Sequence, residues 1–487
     1  MPRASKAAVK EMMRVWDIFC RVVDNYGDAG VSWRLARQLA AEHGVAPRLW
    51  IDQPAALAQM GVGLDPSLLA QTVEQVELRH WTEGAISAED AIAEVVIEAF
   101  ACELPPAYVQ GMARRANRPV WINLEYLSAE EWVEGTHQLA SPQNLPAMAA
   151  SMGGGADVGG ADAGGVGVGG AGVGGVGPAA GAANAWAEAG DGAGMGAGVG
   201  AGTGAGVGAA GTAADEGASA GVGALASARR PPPLNKYFFF PGFTPATGGL
   251  LRERGLLQVC AKFQADAAAQ ALLWRALGVP PREEAPAGEL RVSLFAYENP
   301  ALPELLAAWA GGGVPVRCLV PAGRVLPQVA AFFGAADAKA GARWSRGQLA
   351  VQVLPFTDQP GYDRLLWACD LNLVRGEDSF VRAQWAARPF IWQIYPQAQA
   401  AHHAKLAAFW RRYRAGLPEA AAGAMEAAWD GWNGVAAADW PLTWAALQAR
   451  RAALRTHAED WAARAATQPD LAAQLVEFAA KVPQIAI

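Results

Sequence analysis

Apolar runs of strand length alternate with helix-patterned stretches through most of the chain. Val15 to Val23 reads as a first strand, and Asp24 to Gly30 as a polar, glycine-bearing loop. Val31 to Glu42 then carries helical spacing, with Val31, Leu35 and Leu39 on one face and Gly44 as a stop. Arg48 to Ile51, Glu94 to Phe100 and Pro119 to Leu124 continue as strands. The order returns later in Arg291 to Ala296, Pro315 to Val320, Ala350 to Leu354, Leu371 to Val374 and Phe390 to Ile394. Helical stretches such as Glu304 to Ala310 and Tyr362 to Ala368 separate them, and the chain is mostly helical from Gln397 onward. Strand, loop, helix and strand in this order predict parallel sheets with crossover helices, an α/β protein of two successive doubly wound domains around a cleft.

One tract breaks the pattern. From Ser151 to about Ala226 the chain is Gly, Ala and Val with scattered acids, and residues 192–214 carry no charge. A membrane span is a poor reading, because glycine alternates through the stretch and Leu, Ile and Phe, which drive insertion, are absent. Small side chains bury too little area to offset the entropy of ordering, so the tract reads as a disordered insertion over 149–230. Its flanks, Ser141-Pro142 and Leu234 to Tyr237, are ordinary globular sequence, so it interrupts a domain. The expected organisation is a loose extension over 1–13 without a secretory signal, a first doubly wound domain over 14–288, a second over 289–464, and a helical tail over 465–487 that packs back on the first domain.

The formal charge of -7 disfavours a nucleic-acid partner. Five cysteines, Cys20, Cys102, Cys260, Cys318 and Cys369, form no CxxC pair, which argues against a disulfide or zinc framework and for a cytoplasmic location. The adjacent His402 and His403 cannot both face one ligand from a helix and read as partly solvated.

Open parallel sheets bind ligands beyond the carboxyl ends of their strands, and that rule selects two loops. The first, Asp24-Asn25-Tyr26-Gly27-Asp28-Ala29-Gly30, lacks GxGxxG, and its two acids suit general-base work better than pyrophosphate binding. Capping of the following helix by Asp28 is an equally good account of that residue taken alone. The second, Arg375-Gly376-Glu377-Asp378-Ser379, opens a helix, where unpaired N–H groups, the Arg375 charge and the Ser379 hydroxyl suit a diphosphate. Phe295, Tyr297, Phe356 and Tyr362 lie at neighbouring strand ends, where stacked rings suit a flat base or else belong to the core.

At these loops the sequence resembles the protein-arginine rhamnosyltransferases that modify bacterial elongation factor P. The resemblance runs through Trp16 to Cys20, Asp24 to Asp28, Val31 to Arg37, Asn123 to Ser128, Lys236 to Phe243, Arg375 to Trp385 and Ile394 to Gln397. It implies a GT-B fold, with a Rossmann-like acceptor-side domain over 14–288 and a nucleotide-sugar-binding domain over 289–464, dTDP-β-L-rhamnose as donor, an arginine of elongation factor P as acceptor, and inversion at the sugar. It assigns catalysis to Asp28, Glu377 and Asp24. It assigns donor binding to Asn25, Tyr26, Gly27, Phe295, Tyr297, Phe356, Gln359, Tyr362, Arg375, Gly376, Asp378, Ser379 and Tyr395. No Asp-x-Asp motif lies beside the site, so no metal and no cofactor beyond the donor is expected. A GT-B transferase with another acceptor, an NAD-dependent oxidoreductase with Asp52 on the ribose, and a non-catalytic protein-binding module are the competing readings.

Overall fold

The computed structural model describes residues 14–24, 26–82, 84–143, 234–336 and 338–483; Asn25 and the Gly/Ala tract lie outside them. Two sheets carry the fold. The first contains β1 (Arg14–Cys20), β2 (Val45–Ile51), β3 (Ala70–Val73), β4 (Val76–His80), β5 (Val95–Ala99), β6 (Val120–Leu124), β7 (Ala140–Gln143) and β8 (Leu234–Phe239). Their order is β3-β4-β2-β1-β5-β6-β8-β7. The six inner strands are parallel, and the edge strands β3 and β7 pair antiparallel.

The second sheet contains β9 (Leu290–Leu294), β10 (Val316–Pro321), β11 (Arg343–Arg346), β12 (Leu349–Leu354), β13 (Leu371–Arg375) and β14 (Phe390–Gln393), in the order β11-β12-β10-β9-β13-β14. It is parallel except at β11. Apolar residues fill both faces of the central strands, because helices cover both sides of a parallel sheet. On β1 and β2, Ile18 and Leu49 join one core while Phe19 and Trp50 join another.

Helix α1 (Gly27–His43) follows β1 and ends at Gly44, whose φ of 62° is the left-handed conformation that suits glycine after a helix. It starts four residues earlier than hydrophobic spacing indicates. Gly27 to Gly30 are small residues in its first turn and leave no apolar mark, so the loop after β1 is only Arg21 to Tyr26.

Helices α2 (Leu256–Ala265) and α3 (Ala267–Ala276) precede β9 but do not pack with the first sheet. Trp274 of α3 is buried with Leu319, Leu354 and Leu365 of the second half, and Gln264 donates to the Ala386 carbonyl at 2.9 Å. The boundary at 288 is therefore later in sequence than the packing boundary. Helix α4 (Gln359–Ala368) and helix α5 (Asp378–Trp385) flank β13. Helices α6 (Glu419–Trp432), α7 (Trp440–Ala449) and α8 (Arg451–Ala465) form part of the helical C-terminal region. The last helix, α9 (Leu471–Lys481), returns to the first sheet, where Leu471, Leu475 and Phe478 join the core of Ile18, Leu39 and Ile97.

A buried ionic network ties the two halves together. Arg34 of α1 donates two hydrogen bonds to Asp363 of α4, at 3.1 and 3.0 Å, and its Nε lies 2.9 Å from Asp378. Arg382 of α5 also binds Asp363, at 3.0 and 2.7 Å, and pairs with Glu253 at 2.6 Å. Both arginines are 2% exposed. Among the described residues, no helix is long and apolar enough to cross a membrane.

Candidate active site

The loop after β1 and the loop after β13 meet across the cleft. Asp28 sits in the first turn of α1 and is 2% exposed. It does not cap its own helix. Its Oδ2 accepts the N–H groups of Val23 and Asp24, both at 2.9 Å, so the carboxylate holds the incoming loop. Its Oδ1 accepts the Tyr126 hydroxyl at 3.2 Å. Burial raises the Asp28 carboxyl to about 6, although the two N–H bonds oppose the shift.

Glu377 ends the second loop and reaches the other half of the cleft, where it accepts the Leu127 N–H at 2.9 Å. It is half-buried. Burial raises its carboxyl to about 8, with the Leu127 bond and the nearby Lys405 opposing and the Asp28 charge reinforcing the rise. The Asp28 and Glu377 carboxylates thus come from opposite sheets and sense each other's charge.

Asp24 is placed by two glycines. A Cβ on Gly27 or on Gly376 would lie 2.8 Å from Asp24 Oδ2, and Gly376 also has a φ of 61°. Asp24 accepts the Tyr297 hydroxyl at 2.7 Å and lies 3.5 Å from Arg375 Nη1. The Arg375 guanidinium lies over the rings of Phe295 and Tyr297, 4.7 and 4.3 Å from their centroids. It is 4% exposed, and its Nε has no acceptor among the described residues. A buried guanidinium with open donor capacity is suited to an anion.

Around Arg375 lies a pocket lined by Asp24, Tyr26, Gly27, Phe356, Gln359 and Asp378, among others. Tyr362 packs edge-on against Phe295 at 5.6 Å, and its buried hydroxyl has no acceptor among the described residues. Gln359 donates to the Gly30 carbonyl at 3.2 Å, and its own oxygen has no donor among the described residues. Phe356 is 47% exposed and, with Tyr26 at 6.1 Å, forms the mouth. Tyr395 meets Tyr297 edge-on at 5.5 Å. The pocket is about 80 Å³, below the roughly 300–1,000 Å³ of small-molecule sites. A larger cavity lies elsewhere in the molecule.

Three expectations from sequence change on this view. The Ser379 hydroxyl is taken up by Arg375, donating to its carbonyl and accepting its N–H, so the second loop offers an anion the Arg375 side chain and backbone N–H groups of α5. Asp378 lines the pocket, but its carboxylate is paired with Arg34. Asp52 accepts the Val22 N–H at 2.9 Å and is not among the pocket residues, so it braces the first loop. Asn25 lies outside the described residues.

Sequence reasoning assigned no role to Tyr126, Phe100 or Arg34. Tyr126 stacks on Phe100 at 4.4 Å while it holds Asp28. Tyr126 and Arg34 lie within the family-like blocks, which was the available signal. Among the described residues no group of His, Cys, Asp and Glu is arranged to hold a metal ion.

The model of the Elongation-Factor P (EF-P) rhamnosyltransferase EarP family matches residues 16–152 and 215–480. The protein-arginine rhamnosyltransferase of Pseudomonas aeruginosa is 43% identical over 469 residues, covering 96% of this chain and 99% of its own. That of Shewanella oneidensis is 34% identical over 491 residues, covering 96% and 98%. A solved structure concerned with EarP-mediated arginine glycosylation of translation elongation factor EF-P aligns with a TM-score of 0.55 at 31% identity, covering 96% of this chain and 99% of that one. These matches leave no place for the dinucleotide oxidoreductase reading. With two Rossmann-like sheets in the GT-B arrangement and paired acids at the cleft, the chain belongs to the EarP family of elongation factor P rhamnosyltransferases.

Proposed function

We propose that this protein moves L-rhamnose from dTDP-β-L-rhamnose to an arginine side chain of elongation factor P, with inversion at the sugar. The observation that carries the reading is the pair of carboxylates, Asp28 and Glu377, which come from opposite halves, interact through their charges, and each adjoin in sequence a residue lining the pocket around Arg375, Gly27 and Asp378.

An arginine guanidinium is fully protonated and its nitrogen lone pairs are delocalised, so it is a poor nucleophile. Two carboxylates address both problems. Asp28, largely ionised at neutral pH with a carboxyl near 6, orients the guanidinium and accepts its proton as the nitrogen attacks. Glu377, near 8 in the empty site, is neutral until the acceptor cation arrives and lowers it, so acceptor binding releases a proton. The nitrogen–C1 bond forms as the C1–oxygen bond to the diphosphate breaks on the opposite face. The electron pair leaves with dTDP, whose charge meets Arg375 and the N-terminus of α5. Phe295, Phe356 and Tyr362 are the rings for the thymine and deoxyribose, and Asp24 keeps Arg375 and Tyr297 in place. The step uses side chains and backbone alone, without metal or cofactor. The acceptor puts the reaction in the cytoplasm.

The test is mass spectrometry of elongation factor P after incubation with this protein and dTDP-β-L-rhamnose, followed by NMR of the modified residue. One deoxyhexose on arginine in α linkage is the expected product. An unmodified acceptor, a different residue carrying the sugar, or a β-linked product overturns the corresponding part of the proposal.

A further inference from the structure

A larger cavity lies at the other end of the second sheet. Its walls include Leu290 at the start of β9, Leu371 at the start of β13 and Pro389 before β14, closed by Met425 of α6, Leu447 of α7 and Leu454 of α8. It holds about 580 Å³, within the roughly 300–1,000 Å³ of small-molecule sites. It shares no lining residue with the pocket around Arg375. The C-terminal ends of β9 and β13 serve that pocket and their N-terminal ends serve this cavity. A five-residue strand at about 3.3 Å per residue separates the two by roughly 15 Å.

The charge of this cavity is opposite to that of the chain. The formal charge of the protein is -7, yet five arginines line the cavity, Arg282, Arg291, Arg388, Arg451 and Arg455, against two carboxylates, Glu289 and Asp370. Both carboxylates are already committed. Glu289 pairs with Arg291 at 3.3 Å and Arg317 at 2.8 Å, and Asp370 pairs with Arg282 at 3.0 Å and accepts the Arg291 N–H at 2.8 Å. Glu459 pairs with Arg455 at 2.9 Å and lies 3.9 Å from Arg388. Mutual repulsion shows in the arginines: burial and the neighbouring Arg455 hold Arg388 below its ordinary value.

The polar atoms of the wall are unbalanced in the same sense. Arg388 Nη1, Arg291 Nη1, Gln448 Nε2 and Trp444 Nε1 are buried without an acceptor among the described residues. All four are donors, and no lining side chain has a buried acceptor left unpaired. Arg291 is 0% exposed and partly met by the Trp274 ring, 4.4 Å from its guanidinium. These four donor atoms have almost no accessible surface, so they add positive potential to the wall, and direct contact with an anion falls to the more accessible Arg388, Arg451 and Arg455.

We infer that this cavity is a second binding site, for an organic anion that has an acid group on an apolar body. The acid group meets Arg388, Arg451 and Arg455 at the entrance, and the apolar body lies against Leu290, Leu371, Met425 and Leu447.

The experiment uses the full chain and two probes of the same shape, 8-anilinonaphthalene-1-sulfonate and the uncharged N-phenyl-1-naphthylamine, titrated by fluorescence with and without saturating dTDP. The expected result is saturable binding of one sulfonate, at least roughly tenfold tighter than the amine, from one charge-assisted contact, and unchanged by dTDP. The double variant Arg451→Gln, Arg455→Gln changes only side chains at the cavity entrance, and it weakens the sulfonate while leaving the amine alone. Arg388→Gln weakens it further, with circular dichroism as the check of folding. Equal affinity for the two probes, displacement by dTDP, or full sulfonate affinity in the double variant overturns the site.

Discussion

Glu377→Gln separates the charge of this residue from its shape. Gln keeps an oxygen for the Leu127 N–H and has nearly the same volume, but it cannot ionise. In the folded protein burial raises the Glu377 carboxyl from 4.5 to about 8. A carboxyl that is more basic folded than unfolded favours the folded state fully below its unfolded value, and that contribution is lost as pH rises through about 8. At pH 7 the unfolded chain ionises the group freely and the folded chain does not. The interval from 4.5 to 7, at about 1.4 kcal/mol per pH unit, corresponds to roughly 3 kcal/mol. The residue keeps some contact with solvent, which reduces this to about 1–2 kcal/mol. The Gln variant is therefore more stable by that amount at pH 7, a rise in Tm of roughly 1–2 °C for a chain of this size. The gain shrinks toward zero near pH 5 and reaches its maximum above pH 8. Rhamnosyl transfer falls by about 10² or more, because the charge that meets the guanidinium is gone. Differential scanning calorimetry of both proteins from pH 5 to 8.5, beside single-turnover transfer, measures the two effects. A variant that is less stable at pH 7, or a Tm difference independent of pH, refutes the claim that burial keeps this carboxyl neutral.

Asp28→Asn lowers single-turnover transfer by about 10² to 10⁴ while dTDP-rhamnose titration shows unchanged affinity. In the unmodified protein kcat/KM for the acceptor rises with pH through about 6, where the Asp28 carboxyl ionises, and keeps rising less steeply to about 8, where Glu377 ionises, as a pH–rate profile measures. Arg375→Ala weakens dTDP binding by roughly 10- to 100-fold in calorimetry, since a hydrogen bond to a charged group contributes about 1.5–3 kcal/mol. Arg34→Ala leaves Asp363 and Asp378 without a shared cation and destabilises the protein by about 3–5 kcal/mol in denaturant unfolding. Arg34→Lys does not restore that loss, because one ammonium cannot span both carboxylates as the guanidinium does.

Much of the fold was legible because parallel strands announce themselves as apolar runs. The strands at Leu371 and Phe390 lie within a residue or two of the expected limits. The edge strands β3, β7 and β11 were not legible. Each is four residues long, and none presents a buried face to mark it. The start of α1 was hidden for a different reason: Gly27, Asp28 and Gly30 look like loop residues, and only the crowding of Gly27 against Asp24 and of Gly30 against Asp378 explains small residues there. Asp28 turns back to accept the N–H groups of Val23 and Asp24, whereas local sequence suited a helix cap equally well.

The linear order of residues by itself determined the two sheets, the two loops at strand ends and the types of side chain in them, because periodicity and glycine placement are local properties. The tertiary structure alone decided which charges meet. Arg34 and Asp363 are 329 positions apart and share two hydrogen bonds, and Glu377 finds the Leu127 N–H across 250 positions. The protonation of Asp28 and Glu377 is decided at the same level. A carboxyl of ordinary acidity becomes a group near 6 or near 8 only when both halves of the chain remove water from around it, and no stretch of sequence carries that desolvation in its own residues.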